Sequence, residues 1–178
     1  MVYRLRFLFM IFHSLWEPTQ SIYGLRRLSF FPLPLMDTDM KRMFTHSYVS
    51  LTALGRWHVF FTSELKRLAW QHKWAPLTTA ELMTYRGSLW AWQRFEVTTR
   101  LLYWDESHFY VEHAFIAKYR VPSKNQVFAR ALAQGVVRSA KTVLRPPVIF
   151  ATLGPSPALA DLPARTQDDI AQLKKIAV

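Results

Sequence analysis

The chain has 178 residues, enough for one domain with a sizeable core and cramped for two. Hydrophobic residues make up 51% and aromatics 15%, which excludes a disordered chain; with no cysteine there is no disulfide framework, zinc–thiolate centre or cysteine nucleophile. A formal net charge of +11 favours anionic partners: nucleic acid, an acidic membrane surface or a phosphorylated small molecule.

The first segment, MVYRLRFLFMIFHSLW, opens like a signal peptide, with Arg4 and Arg6 ahead of an apolar run. Phe7 to Phe12 is short for a signal core, and Glu17-Pro18 follows in place of a small-residue cleavage site. The run also falls short of the about 20 apolar residues a spanning helix needs. As a helix, Leu5, Leu8, Phe9, Phe12, Leu15 and Trp16 share one apolar face, widened by Phe7, Met10 and Ile11. That face either packs on the domain or lies in a membrane interface; packing is the preferred reading.

Pro18 ends this helix, and a linker with Gly24 follows. In RRLSFFPLPLMD, Pro32 and Pro34 mark an edge strand or extended segment. Asp37 and Asp39 then stand just before a helical pattern, with Thr45 and Ser47 as candidate N-caps. From Tyr48 to about Trp70, Tyr48, Leu51, Leu54, Trp57, Phe61, Leu65 and Leu68 fall at helical spacing. Val49, Val59 and Phe60 put apolar surface on its other sides, so this helix is wrapped rather than laid on a surface. Gly55 in its middle predicts a close neighbouring backbone.

After Pro76 the pattern changes to strands. TTAELMTYR is one, SLWAWQ an aromatic loop, and RFEVTTRLLYW and HFYVEHAFIAKYR flank DES as a hairpin turn. In NQVFARALAQGVVRSA, Val127, Ala129, Ala131, Ala133, Gly135 and Val137 alternate onto one face, whose small side chains let a helix come close. After Arg145-Pro146-Pro147 the chain reads as loop, and a short polar helix covers about Thr166 to Ile176. No acid falls between Glu112 and Asp161, a span that holds Lys118, Arg120, Lys124, Arg130, Arg138, Lys141 and Arg145. This is either a solvated basic face or an anion site.

An antiparallel sheet that must bury one long helix curls around it. The order of elements therefore predicts an α+β hotdog fold: a curved antiparallel sheet around a central helix, with an added N-terminal helix and a short C-terminal one. The expected parts are residues 1–27 (helix and linker), 28–154 (hotdog domain) and 155–178 (loop and helix). Such a sheet leaves an edge to be paired, so a homodimer or homotetramer is expected.

From about Tyr3 to Gly154 the chain resembles hotdog-fold acyl-CoA thioesterases of the 4-hydroxybenzoyl-CoA thioesterase type, in the branch with an N-terminal apolar helix related to animal thioesterase-superfamily proteins. DTDMKRMFTHSYVSLTALGR is similar to the family's Asp-x-Asp, His-Met-Asn-Asn, Tyr-Leu and Leu-Gly-Arg run. YRGSLWAWQRFEVTTRLLYWDESHFYVEHAF resembles its strand–loop–strand segment through Ser88-Leu89, Gln93 to Glu96 and Leu101 to Asp105. The resemblance implies that Asp39 is the catalytic acid, as nucleophile or as base for water. A thioester carbonyl is a good electrophile, and a helix N-terminus offers N–H donors to its oxyanion. The backbone at Thr45, His46 and Ser47 is then the expected oxyanion hole. The chain departs from the family where His-Met-Asn-Asn reads Met43-Phe44-Thr45-His46. Backbone donors do not depend on side-chain identity, but contacts by the missing side chains are lost.

The expected substrate contacts are Asp37, Tyr48, Arg86, Trp92, Arg94 and Arg130. The arginines, with Lys118 and Arg138, are there to meet coenzyme A phosphates. Trp90 and Trp92 line an acyl tunnel or a dimer interface. Asp37 also reads as a turn acid, Asp39 as a plain helix-start acid, His46 as a replacement donor or a solvent-facing residue, and Glu64 as a reserve acid or an ion-pair partner. No metal-ligand spacing, serine elbow or phosphate loop occurs in the sequence.

The expected activity is hydrolysis of an acyl-CoA or acyl-carrier-protein thioester, with no cofactor because coenzyme A is part of the substrate. The alternative is a non-hydrolytic hotdog: an acyl-thioester binder, dehydratase or cyclase. Nucleic-acid binding rests on charge alone, without a recognisable motif. The expected location is cytoplasmic, with peripheral membrane contact through the N-terminal helix as an option.

Overall fold

A computed structural model of the chain describes residues 2–119, 125–139, 142–150, 153 and 155–176. Arg120, Lys124 and Lys141 of the basic span lie outside them. In chain order the elements are α1 (Val2–Trp16), β1 (Arg26–Phe30), α2 (Thr45–Thr62), α3 (Lys66–His72), β2 (Ala75–Tyr85), β3 (Phe95–Trp104), β4 (Phe109–Ala117), β5 (Gln126–Arg138), β6 (Val143–Leu144), α4 (Pro146–Phe150), a 3-10 turn (Leu159–Asp161) and α5 (Ala164–Ile176). The strands form one antiparallel sheet in the order β1-β3-β4-β5-β2, with β6 on the end of β5.

The sheet wraps α2, as the apolar-all-round pattern requires. Tyr48, Leu51 and Leu54 of α2 are buried against Phe95, Val97, Phe115 and Ala129, and Val59 and Phe60 against Leu101, Val111 and Val137. Each buried Leu, Val or Phe among them stabilises the fold by roughly 1.5–3 kcal/mol. Ala129 and Val137, on the small-residue face of β5, share these clusters with α2. The other face of the sheet is covered by α5, whose Ile170 and Leu173 close over Leu102, Tyr110 and Leu132. This is the hotdog architecture that the order of elements predicts.

Five expectations need correction. The single helix from Tyr48 to Trp70 is two, α2 and α3, broken at Ser63. There the Thr62 hydroxyl donates to the His58 carbonyl, and Ser63 Oγ donates to Phe60 while accepting from the Leu65 N–H. Side-chain bonds of this kind compete with the helix's own. Thr45 and Ser47 lie inside α2, and its N-cap is Phe44. The neighbour that demands glycine at position 55 is a side chain: an added Cβ would collide with the Thr99 hydroxyl and press on His113. Finally, α1 turns inward the face that was not expected. Met10 and Ser14 are buried and Phe7 packs edge-on against Trp57, while Leu5, Leu8, Phe9, Phe12, Leu15 and Trp16 stay exposed. Serine tolerates this because its hydroxyl is bonded to the Met10 carbonyl, 2.7 Å away. The residues after Arg145, expected as loop, begin with the short helix α4.

Candidate functional site

The two acids ahead of α2 have different surroundings. Asp37 is buried. Its carboxylate accepts two hydrogen bonds from Arg6, both 2.7 Å, and one from the Leu33 N–H at 2.8 Å. Its carbonyl accepts the Phe44 N–H (2.8 Å) and the Ser47 hydroxyl (3.1 Å), so Asp37 ties α1, the loop and the start of α2 together. Asp39 sits two residues on, in an exposed turn. One carboxylate oxygen accepts the N–H groups of Lys41 (2.6 Å) and Arg42 (2.7 Å). Those two backbone bonds hold its carboxyl below the usual range, so it is ionised at neutral pH.

The aromatic loop between β2 and β3 clamps this acid loop from the side. Met43 N–H donates to Leu89, Ala91 N–H to Lys41 and Trp92 N–H to Pro32. The Arg42 guanidinium lies over the Trp90 ring, 5.6 Å from its centroid. Trp92 takes a left-handed backbone conformation, φ 62°, rare for a bulky residue and maintained here by that clamp.

A cleft of about 270 Å³ opens at the first turn of α2, lined by Tyr3, Arg6, Asp37, His46, Ser47 and Ser50 with Leu51 and Leu54 at its side. Phe44 gives α2 no side-chain cap. The first-turn N–H groups of Thr45 and His46 therefore keep the donor capacity and partial positive charge of a helix start. His46 is exposed and its ring stacks on Phe44 with centroids 5.2 Å apart.

Several predicted site residues are placed elsewhere. Ser47 stays in the cleft lining, but its donors serve the fold: its N–H donates to Phe44 and its hydroxyl to Asp37. Tyr48 is core: its ring meets Tyr85 and Phe115 edge-on, and its hydroxyl accepts the buried Leu89 N–H. Arg130 is on the α5 side of the sheet, beside Arg165 and Asp169, so within one chain it cannot reach the cleft. Arg86, Trp92 and Arg94 are exposed on the aromatic loop and outside the cleft's lining: Trp92 is bonded to Pro32 ahead of the acid loop, Arg86 to Phe128 of β5 and Arg94 to Lys118. Glu64 falls beyond the end of α2, where it accepts the Ile22 N–H and interacts with the charge of Arg26. Among the described residues, no three His, Asp or Glu side chains gather where they could hold a metal ion.

Two features escaped sequence reasoning. One is Arg6, read as part of a basic run before apolar residues. A cation on the inner face of an apolar helix calls for a buried acid, and Asp37 is that acid. The other is a buried polar cluster under the middle of α2. Arg56 lies 3.6 Å from Glu81 and 3.3 Å from His113 Nε2, and His113 Nδ1 lies 2.9 Å from the Thr99 hydroxyl. Because arginine can only donate, Nε2 accepts and Nδ1 carries the proton to Thr99. Burial, reinforced by the Arg56 charge, pushes the His113 pKa well down, and burial pushes Glu81 up against the opposing pull of Arg56.

Residues 33–170 match the family model described as the thioesterase-like superfamily. The chain belongs to this superfamily. A 33-residue segment is 58% identical to Protein THEM6 of Xenopus laevis; the match spans 18% of this chain and only 16% of that relative's length. Among solved structures, 4-hydroxybenzoyl-CoA thioesterase from Pseudomonas sp. strain CBS-3 is similar with a TM-score of 0.59 at 11% identity, covering 72% of this chain and 98% of that one. A mutant of 4-hydroxybenzoyl-CoA thioesterase in complex with 4-hydroxybenzoyl-CoA gives 0.62 at 9% identity over 72% and 97%. The probable thioesterase YbaW of Escherichia coli gives 0.54 at 15% over 68% and 88%. At these identities the likeness is one of fold, and it places this superfamily member among hotdog proteins.

Proposed function

We propose that the chain hydrolyses acyl thioesters, of coenzyme A or an acyl-carrier protein, at the cleft on the first turn of α2. The observation that carries this reading is an uncapped helix start with a carboxylate loop immediately before it in a thioesterase-superfamily chain. Structures similar in fold were solved with 4-hydroxybenzoyl-CoA and with CoA, which supports a coenzyme A thioester as the substrate class.

Asp39 is the proposed acid. Of the two carboxylates it alone has an oxygen without a hydrogen-bond partner among the described residues, and its lowered pKa keeps it ionised. It attacks the thioester carbonyl or takes a proton from water, while the N–H groups of Thr45 and His46 receive the developing oxyanion. On the water route the departing thiolate takes back the proton that Asp39 received; on the direct route it is protonated from solvent and water then hydrolyses the acyl–Asp39 anhydride. Asp37 positions the loop rather than reacting, because Arg6 and Leu33 occupy both of its oxygens.

The test is thiol release from a panel of short, long and aromatic acyl-CoAs. Asp39→Asn is expected to lower kcat/KM at least a hundredfold with the fold retained. A folded, fully active Asp39→Asn protein rejects Asp39 as the acid. A second reading, an acyl-thioester binder without hydrolysis, draws support from the exposed turn of Asp39, which stands outside the cleft lining. Saturable acyl-CoA binding without thiol release would select it.

A further inference from the structure

The outward face of α1 and the neighbouring α3 form an apolar surface that nothing among the described residues covers. Leu5, Leu8, Phe9, Phe12, Leu15 and Trp16 recur at helical spacing, each 60–80% exposed, and Trp70 of α3 is 78% exposed beside them. Between the two helices a groove of about 510 Å³ is lined by Ile11, Leu15, Phe61 and Trp70, with Glu64, Lys66 and Arg67 among its walls. Six large side chains in one stripe exceed the scattered apolar exposure usual for a soluble surface. Single-residue packing needs do not explain the stripe, because α1 already buries its other face.

Charge selects what covers it. Neither α1 nor α3 contains an acidic residue, and their Arg4, Lys66 and Arg67 outnumber the one acid in the groove wall, Glu64, in a chain of net charge +11. A second copy docked here would set those cations against each other. Exposed Trp16 and Trp70 suit the boundary between headgroups and acyl chains, where an apolar ring with one N–H donor is at home. No helix among the described residues is long and apolar enough to cross a membrane, so contact would be lateral. We propose that α1 and α3 dock the protein on an anionic phospholipid bilayer, with the apolar stripe in the acyl boundary and Arg4 and Arg67 at the headgroups. This surface is separate from the cleft at α2, and the inference does not depend on thioester hydrolysis.

Vesicle flotation of the full chain tests it, with phosphatidylcholine alone and with phosphatidylcholine plus phosphatidylserine. The wild type is expected to float with the mixed vesicles, more weakly as salt rises and far less with phosphatidylcholine alone. Phe9→Glu/Phe12→Glu is expected to lower bound protein at least tenfold, and Arg4→Glu/Arg67→Glu to remove the preference for phosphatidylserine. Both pairs are solvent-exposed, and circular dichroism verifies the fold. Wild-type protein that stays out of both vesicle fractions at low salt overturns the proposal. So does flotation indifferent to both variants. If Phe9→Glu/Phe12→Glu instead splits an oligomer in sedimentation velocity and leaves flotation unchanged, a second copy covers the face and the proposal fails.

Discussion

The Arg6 guanidinium holds the Asp37 carboxylate in two parallel hydrogen bonds of 2.7 Å, joining the first helix to the loop that precedes the central one. The paired side chains are only 15% and 8% exposed. Asp37 also fastens the start of α2, so the N-terminal helix is part of the cleft's frame. Removing Arg6 leaves a mostly buried carboxylate with one backbone donor. Arg6→Ala is therefore expected to cost about 3 kcal/mol, read as a shift in the urea midpoint. It should also lower acyl-CoA hydrolysis without touching Asp39. A midpoint within error of wild type would show that the pair adds nothing to α1 docking.

Gly55 gives a second check, of packing rather than charge. Alanine normally favours a helix interior by about 1 kcal/mol over glycine. Here its Cβ meets the Thr99 hydroxyl and crowds His113, and overpacking of this kind costs roughly 1–3 kcal/mol. Gly55→Ala is expected to lower Tm, and Thr99→Ala in the same chain to recover part of the loss. Recovery ties the cost to that contact.

The parts of this structure legible in the sequence are those fixed by periodicity. The wrapped helix followed from apolar residues on all its sides, and the small face of β5 from strict alternation at Ala129, Ala131 and Ala133. What was not legible depends on pairs far apart in the chain. Periodicity finds the apolar stripe of α1 but cannot say which face turns inward; Arg6 decides that through Asp37, thirty-one positions away. The break at Ser63 comes from hydroxyl bonds over three or four residues, which an apolar pattern does not register. Asp37 and Asp39 differ only in what surrounds them, and nothing in Asp-Thr-Asp tells the buried acid from the exposed one.

The buried histidines make stability depend on pH with a definite sign. Burial, then the Arg56 charge, depresses His113, and burial depresses His58 although Glu17 at 2.9 Å pulls the other way. A depressed folded pKa means that the unfolded chain takes the proton first. Their contribution is complete above the unfolded value of about 6.5 and falls below it by about 1.4 kcal/mol per pH unit for each group. Glu81, raised by burial, acts oppositely and favours the acid side above its ordinary value of 4.5. With two histidines against one carboxyl, Tm is expected to drop from pH 7 to pH 5. His113→Leu is expected to flatten that drop whatever it does to Tm at pH 7. An unchanged slope would remove His113 as a source.

Assembly is the remaining expectation open to measurement. β2 pairs with β5 along one side only, and among the described residues its other side has no partner over eleven residues. The opposite edge, β1, is five residues long and runs on toward Pro32 and Pro34, which cannot donate to a further strand. A long open edge with Leu77 and Tyr85 partly exposed invites pairing, and a two-fold copy can supply it. Sedimentation equilibrium is expected to give twice the 20.9 kDa chain mass. Leu77→Lys/Thr79→Lys, which sets like charges along the edge, should return the protein to monomer. If the dimer survives that change but is lost in Trp90→Ala/Trp92→Ala, the interface is the aromatic loop beside the cleft. Each chain would then close the other's site, and thioester hydrolysis should fall with dilution as the dimer dissociates.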